Sequence, residues 1–168
     1  TENMKINKNI SERWSPVAFS DEMPERDKIA LLFEAARWAP SSFNAQPWKF
    51  IYGYKGDDVY QMLFELIAEF NQVWAKTAPV LIMSMAETIP PGRTSINKFA
   101  FHDTGMAIGN LLVQATDLGL YVHQMGGYDH QSARVVFNLP ETYEPAAMMA
   151  VGYKGDPGLL PESVAARE

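Results

Sequence analysis

The stretch Pro79-Val80-Leu81-Ile82-Met83-Ser84-Met85 limits the possible folds of this 168-residue chain more than any other. Apart from Ser84 it is apolar throughout, with no alternation, and it is far too short to span a bilayer. A run of this kind reads as a strand covered on both faces. The segments around it supply the cover. Ile29, Leu32, Phe33 and Ala36 recur at helical spacing between Glu25 and Ala39, and Pro40 ends that helix. Asp57 caps a second helix reaching to about Phe70, with a short helical turn at Gln72 to Lys76. The longest predicted helix runs from Lys98 to Leu118 and stops at Gly119, and a last one spans Gln131 to Phe137.

Trp48, Phe50, Tyr52 and Tyr54 alternate along a predicted strand, and Leu120 to Gln124 and Ala146 to Tyr153 add two more. Residues 87–97, with Pro90-Pro91-Gly92, form a loop long enough to serve a function, and Arg93 in it is a candidate for lining a substrate channel. Residues 1–24 and the tail from Lys154 onward are polar. The elements lack a regular strand–helix–strand rhythm, and no Gly-x-Gly-x-x-Gly turn follows a strand. The expectation is therefore an α+β fold with a small mixed central sheet packed among helices, in one domain covering 1–168.

Composition excludes several function classes. The chain has no cysteine, which removes disulfides, thiolate metal sites and thiol nucleophiles. A net charge of −6 argues against binding nucleic acid without sequence preference. The first 15 residues lack a basic start followed by an apolar run, so a cytoplasmic location with no membrane association is expected. His102, His123 and His130 lack metal-ligand spacing and read as hydrogen-bonded or surface residues, so no metal is expected.

Two stretches carry chemistry. In Ala39-Pro40-Ser41-Ser42-Phe43-Asn44-Ala45-Gln46-Pro47-Trp48, uncharged donors and acceptors lie between two prolines, held by a helix before and a strand after. That suits a neutral heterocycle with carbonyls and ring nitrogens, although a plain helix-to-strand turn has the same composition. In Arg13-Trp14-Ser15-Pro16-Val17-Ala18-Phe19, Arg13 and Ser15 can grip a phosphate by charge and hydroxyl together. An isolated Arg-x-Ser is also a common solvated surface feature.

Together and in this order, Arg-x-Ser-x-x-x-Phe and Ala-Pro-Ser-Ser-x-Asn-x-Gln-Pro-Trp resemble the nitroreductase family of FMN enzymes. Asn71 ahead of Ala78-Pro79-Val80, Gly126-Gly127-Tyr128-Asp129 and Gly152-Tyr153 extend the resemblance over about residues 10–155. It implies a homodimer with the active site at the interface, FMN as cofactor and NAD(P)H as transient co-substrate. Arg13, Trp14 and Ser15 would hold the FMN phosphate and ribityl chain. Pro40, Ser41, Ser42 and Asn44 would reach the same flavin from the other subunit. Asn71 would meet the pyrimidine edge, and Gly126 and Gly127 would bring backbone N–H groups to N5 and O4. Gln46 and Trp48 would support and pack.

No catalytic side chain is obligatory, because the flavin carries the hydride. The implied activity is electron transfer from NAD(P)H to nitroaromatics, quinones or related small acceptors. The alternatives are a narrow reaction on the same scaffold, such as dehalogenation or flavin fragmentation, and FMN binding without turnover.

The chain departs from the family pattern at two positions. Val17 and Trp74 stand where relatives often carry a basic residue, which implies a flavin that is harder to reduce. Relatives also continue past the point reached at Glu168, through a basic pair that caps the phosphate. Such a tail, or a weaker phosphate grip without it, is expected. Gly105-x-x-x-Gly109 on the long helix suits close helix–helix approach, either at a dimer core or within the chain.

Overall fold

The computed structural model describes residues 5–168; residues 1–4, where the polar N-terminal stretch begins, lie outside it. The apolar run becomes β2 (Val80–Glu87), fully buried along its length. It lies between β1 (Trp48–Tyr54) and β4 (Tyr143–Gly152), and β3 (Tyr121–Met125) closes the sheet beyond β4.

Period-two alternation sends the two faces of β2 into different cores. Val80 and Ile82, with Met149 and Val151 of β4, pack against Ile29, Leu32 and Ala36 of α2 (Arg26–Arg37) and against α5 (Ala100–Asp117). Leu81, Met83 and Met85, with Met148 and Ala150, face the opposite layer. That layer holds α3 (Asp58–Leu66), α4 (Glu69–Ala75) and α6 (His130–Val136). Each large apolar side chain buried this way stabilises the fold by about 1.5–3 kcal/mol.

The α+β architecture is the expected one, but the sheet is antiparallel at every pairing instead of mixed. For β1 and β2 the connection explains this. α3 and α4 form a helical pair that returns the chain to the end of the sheet it left, so Tyr54 pairs with Val80. A single crossover helix would have delivered it to the far end and made the strands parallel.

The predicted helix from Asp57 to Phe70 is also broken in two. Ile67 takes extended backbone (ψ 136°) and forms an antiparallel bridge with Tyr128. The Ala68 N–H donates to the Gly127 carbonyl at 2.9 Å, and the Asp129 N–H to the Leu66 carbonyl at 2.8 Å. These long-range bonds outweigh the local helical pattern, which cannot reveal them. One-turn helices α1 (Lys8–Ser11) and α7 (Glu162–Ala165) interrupt the stretches read as plain polar termini. Among the described residues no helix is long and apolar enough to cross a membrane.

Candidate functional site

A line of contacts joins several of the candidate residues. The Arg13 guanidinium donates to the Ser15 hydroxyl at 3.0 Å, and that hydroxyl lies 3.5 Å from the Val122 carbonyl on β3. The next carbonyl, of Pro16, lies 2.8 Å from Nδ1 of His123. A carbonyl only accepts, so Nδ1 carries the proton. Burial pushes the His123 imidazole below its usual range, against the upward pull of the Pro16 carbonyl. The ring is therefore neutral near pH 7, and it stacks on Trp74 with centroids 4.2 Å apart. Trp74 Nε1 donates to Asn71 Oδ1 at 3.2 Å, and Asn71 Nδ2 donates to the Gly127 carbonyl at 3.3 Å. Arg13, Ser15, Asn71 and Gly127 are thus parts of one connected assembly.

Its members differ in what they leave open. Arg13 is exposed and forms no ion pair among the described residues, and Trp14 is 48% exposed. A free guanidinium beside a hydroxyl matches the donors a phosphate needs. A Cβ on Gly126 would meet open space, so the protein's own packing does not require glycine there. A Cβ on Gly127 would stand 2.7 Å from Phe70 Cζ and 2.8 Å from Asn71 Nδ2, so this glycine is held by internal contacts. Asn71 is mostly internal, with both ends of its amide engaged by Trp74 and Gly127.

Val17 and Trp74 are interior residues, 1% and 0% exposed. The positions read as missing charges are core positions in this chain, and neutral His123 beside Trp74 does not replace the lost charge.

The Pro40–Asn44 segment belongs to a second, separate group. Ser42–Asn44 form a 3-10 turn in which Phe43 and Asn44 have φ of 53° and 52°, followed by Gln46 at 49°. Left-handed backbone at non-glycine residues costs on the order of 1–3 kcal/mol each, least for Asn. The strain is held by Gln46, whose N–H donates to Ser41 Oγ at 3.0 Å and whose Nε2 donates to Asn44 Oδ1 at 3.0 Å. Asp103, 2% exposed in the first turn of α5, accepts from the Ser42 N–H at 2.8 Å and lies 2.9 Å from Nδ1 of His102. Phe43 itself is 91% exposed, so its own side chain does nothing to hold the strained turn.

Sequence reasoning missed both Asp103 and the strain. An Asp in a helix's first turn is too common to single out. Its anchoring role predicts that Asp103→Ala leaves the Ser42 amide unpaired and costs about 1–3 kcal/mol. Urea denaturation checks the stability, and faster limited proteolysis within residues 41–46 checks the loop.

The Pro40–Asn44 turn and the segment leading into Arg13 meet opposite ends of α5: Ser42 is bonded to its first turn, whereas Asn9 Nδ2 donates to Asp117 Oδ1 in its last at 3.0 Å. An 18-residue helix is about 27 Å long. Among the described residues no hydrogen bond or ion pair links the two groups. Gly105 and Gly109, near the middle of α5, would meet nothing within 4 Å if given a Cβ, so the pair makes no tight contact among the described residues. No cluster of His, Asp or Glu suited to a metal occurs among the described residues.

Comparisons with known proteins agree with this architecture. A solved oxidoreductase containing FMN superposes with a TM-score of 0.94 at 32% identity, over 100% of this chain and 86% of that one. An iodotyrosine deiodinase from Thermotoga neapolitana is 25% identical over 83% of each chain. An NADH dehydrogenase from Thermus thermophilus is 28% identical over 82% of this chain and 80% of its own. The sequence profile described as the nitroreductase family matches residues 10–73 and 54–153, which with the shared fold makes this chain a member of the nitroreductase family.

Proposed function

We propose that the chain is an FMN-dependent oxidoreductase, with residues 1–168 acting as one flavin-binding domain of a cytoplasmic homodimer. The observation that carries this reading is that the Pro40–Asn44 turn and the segment leading into Arg13 meet opposite ends of α5, whose central glycine face is uncovered among the described residues. A twofold axis crossing α5 near Gly105 and Gly109 pairs two copies of the helix antiparallel. Each N-terminal end then lies beside the partner's C-terminal end. The Pro40–Asn44 segment of one subunit thereby approaches the Arg13–Ser15 segment of the other, from which the contacts through β3 and Trp74 lead on to Asn71 and Gly127.

Arg13 and Ser15 suit the phosphate, Trp14 the chain leading from it, and the two glycines the polar rim of the ring, with Asn71 bracing Gly127 from behind. Bound FMN would supply hydride chemistry, accepting two electrons from NAD(P)H and delivering them to a small acceptor. For a quinone, NAD(P)H, one proton and quinone give NAD(P)+ and hydroquinone. The protein's part is to orient the reactants and keep the redox face open beside Gly126. A dehalogenating reaction on the same site is the second reading, favoured by the similarity to a deiodinase.

Subunit complementation tests the split site. Arg13→Ala and Ser42→Glu are each expected to lower FMN affinity on the order of tenfold or more, because each damages one half of both sites. In a mixed dimer one of the two sites is intact, so full exchange of equal amounts restores roughly a quarter of the sites. Flavin-fluorescence titration reads this directly. No recovery on mixing, or a monomer by light scattering that binds FMN fully, rejects the split site. NAD(P)H oxidation with menadione, a nitroaromatic or an iodinated phenol then separates the two reactions.

A further inference from the structure

The segment between β2 and α5 encloses a cavity of about 370 Å³ against the strained turn at Phe43. That size falls within the ~300–1,000 Å³ of small-molecule sites. Its wall is apolar in an unusual way for exposed surface: Phe43, Ile96 and Phe99 are 91%, 68% and 56% exposed. Two cations, Arg93 and Lys98, stand at the same cavity.

Neither cation forms an ion pair among the described residues, and Arg93 lies 5.8 Å from the Phe43 ring centroid. Asp103, the carboxylate in the first turn of α5, is already engaged by the Ser42 N–H and His102.

One further feature favours negative charge here. Phe99, just before α5, offers no side-chain cap, so the positive end of the helix dipole opens at the cavity, partly offset by the Asp103 carboxylate in the first turn. Asn97 is pinned by its N–H to the Thr88 carbonyl at 2.7 Å and by its Oδ1, which accepts from the Phe99 N–H at 3.0 Å. Its Nδ2 is buried, so Asn97 fixes the shape of the wall and presents no donor to the cavity. Two cations without an ion pair among the described residues and three aromatic or aliphatic faces are complementary to a flat apolar body with an anionic group. They are poorly matched to a neutral polar ligand.

We propose that this cavity binds an aromatic carboxylate or sulfonate, with the ring against Phe43, Ile96 and Phe99 and the anion at Arg93 and Lys98. This rests on the functional reading above in one respect, that the cavity adjoins the Pro40–Asn44 half-site and so receives the electron acceptor. The acceptor class is thereby narrowed to anionic arenes, such as quinone carboxylates and nitrobenzoates. Arg93 and Lys98 set specificity and have no part in the electron transfer.

The test uses benzoate and its neutral isostere benzamide as probes in calorimetric titrations of the dimer, with and without FMN. Wild type is expected to prefer benzoate on the order of tenfold, a preference weakened by salt. Arg93→Ala/Lys98→Ala abolishes the preference while benzamide binding stays the same, and Arg93→Lys retains part of it. Equal affinity for the two probes in wild type, or no benzoate binding at millimolar concentration, overturns the proposal. So does a double variant that loses discrimination between NADP+ and NAD+ while keeping its benzoate preference, since the cations then serve the nucleotide. A shift in oligomeric state with the benzoate preference unchanged assigns these residues to a subunit contact and also overturns it. Failure of FMN to bind the same samples counts against the functional reading alone, because the benzoate preference is measured without flavin as well.

Discussion

Replacing Trp74 with alanine is expected to remove about 3–5 kcal/mol of stability, a large share of the ~5–15 kcal/mol available to a domain of this size. Trp74 is fully buried, stacks on His123 and donates to Asn71, so its loss opens a cavity and unpairs an amide oxygen at once. Trp74→Phe keeps the stacking surface and loses the hydrogen bond, at about 1–3 kcal/mol. Trp74→Lys tests the reading that a charge belongs here. An ammonium at a site with no exposed edge is expected to prevent stable folding, not to raise a flavin potential. Urea denaturation followed by near-ultraviolet circular dichroism measures all three. A Trp74→Ala variant within 1 kcal/mol of wild type would contradict the assigned packing.

The neighbouring glycines are expected to separate folding from binding. A Cβ at Gly127 meets Phe70 and Asn71 at 2.7 and 2.8 Å, so Gly127→Ala must displace the α4 side chains that hold the assembly. The cost is about 1–3 kcal/mol, typical of overpacking. At Gly126 the added methyl meets nothing, so Gly126→Ala should fold with wild-type stability. Gly126→Val extends the same direction with a branched side chain and is expected to weaken FMN binding on the order of tenfold, by standing where the ligand approaches. Thermal unfolding without ligand and flavin titration, run on the same proteins, give the two readouts. Should Gly126→Val bind FMN as wild type does, the open side of Gly126 is not the ligand's side.

Much of the fold is legible in the residue pattern because burial leaves a periodic trace. The unbroken apolar run from Val80 to Met83 specified a strand covered on both sides, and the alternating aromatics from Trp48 to Tyr54 specified β1 to the residue. The long helix was placed within two residues at its start and one at its end, where Gly119 adopts φ 73° just beyond it. The residues that form the connected assembly were also readable, since Arg13, Ser15, Asn71 and the Gly126–Gly127 pair carry the family motif. What those residues do for each other was not.

Local sequence alone determined which segments would be helix or strand and which residue types could recognise a phosphate or a polar ring. Tertiary structure decided everything that depends on distant partners. The break at Ile67 exists because Tyr128 supplies a bridge 61 positions away, and β1 pairs antiparallel with β2 because α3 and α4 return the chain to the end of the sheet it left. Trp74 and Val17 became core residues, Asn71 became the brace of Gly127, and Asp103 became the anchor of the strained turn. The physical reason is common to all of them. A hydrogen bond or a buried contact is the property of a pair, and a pattern along one segment records its own exposure but not the identity of what covers it.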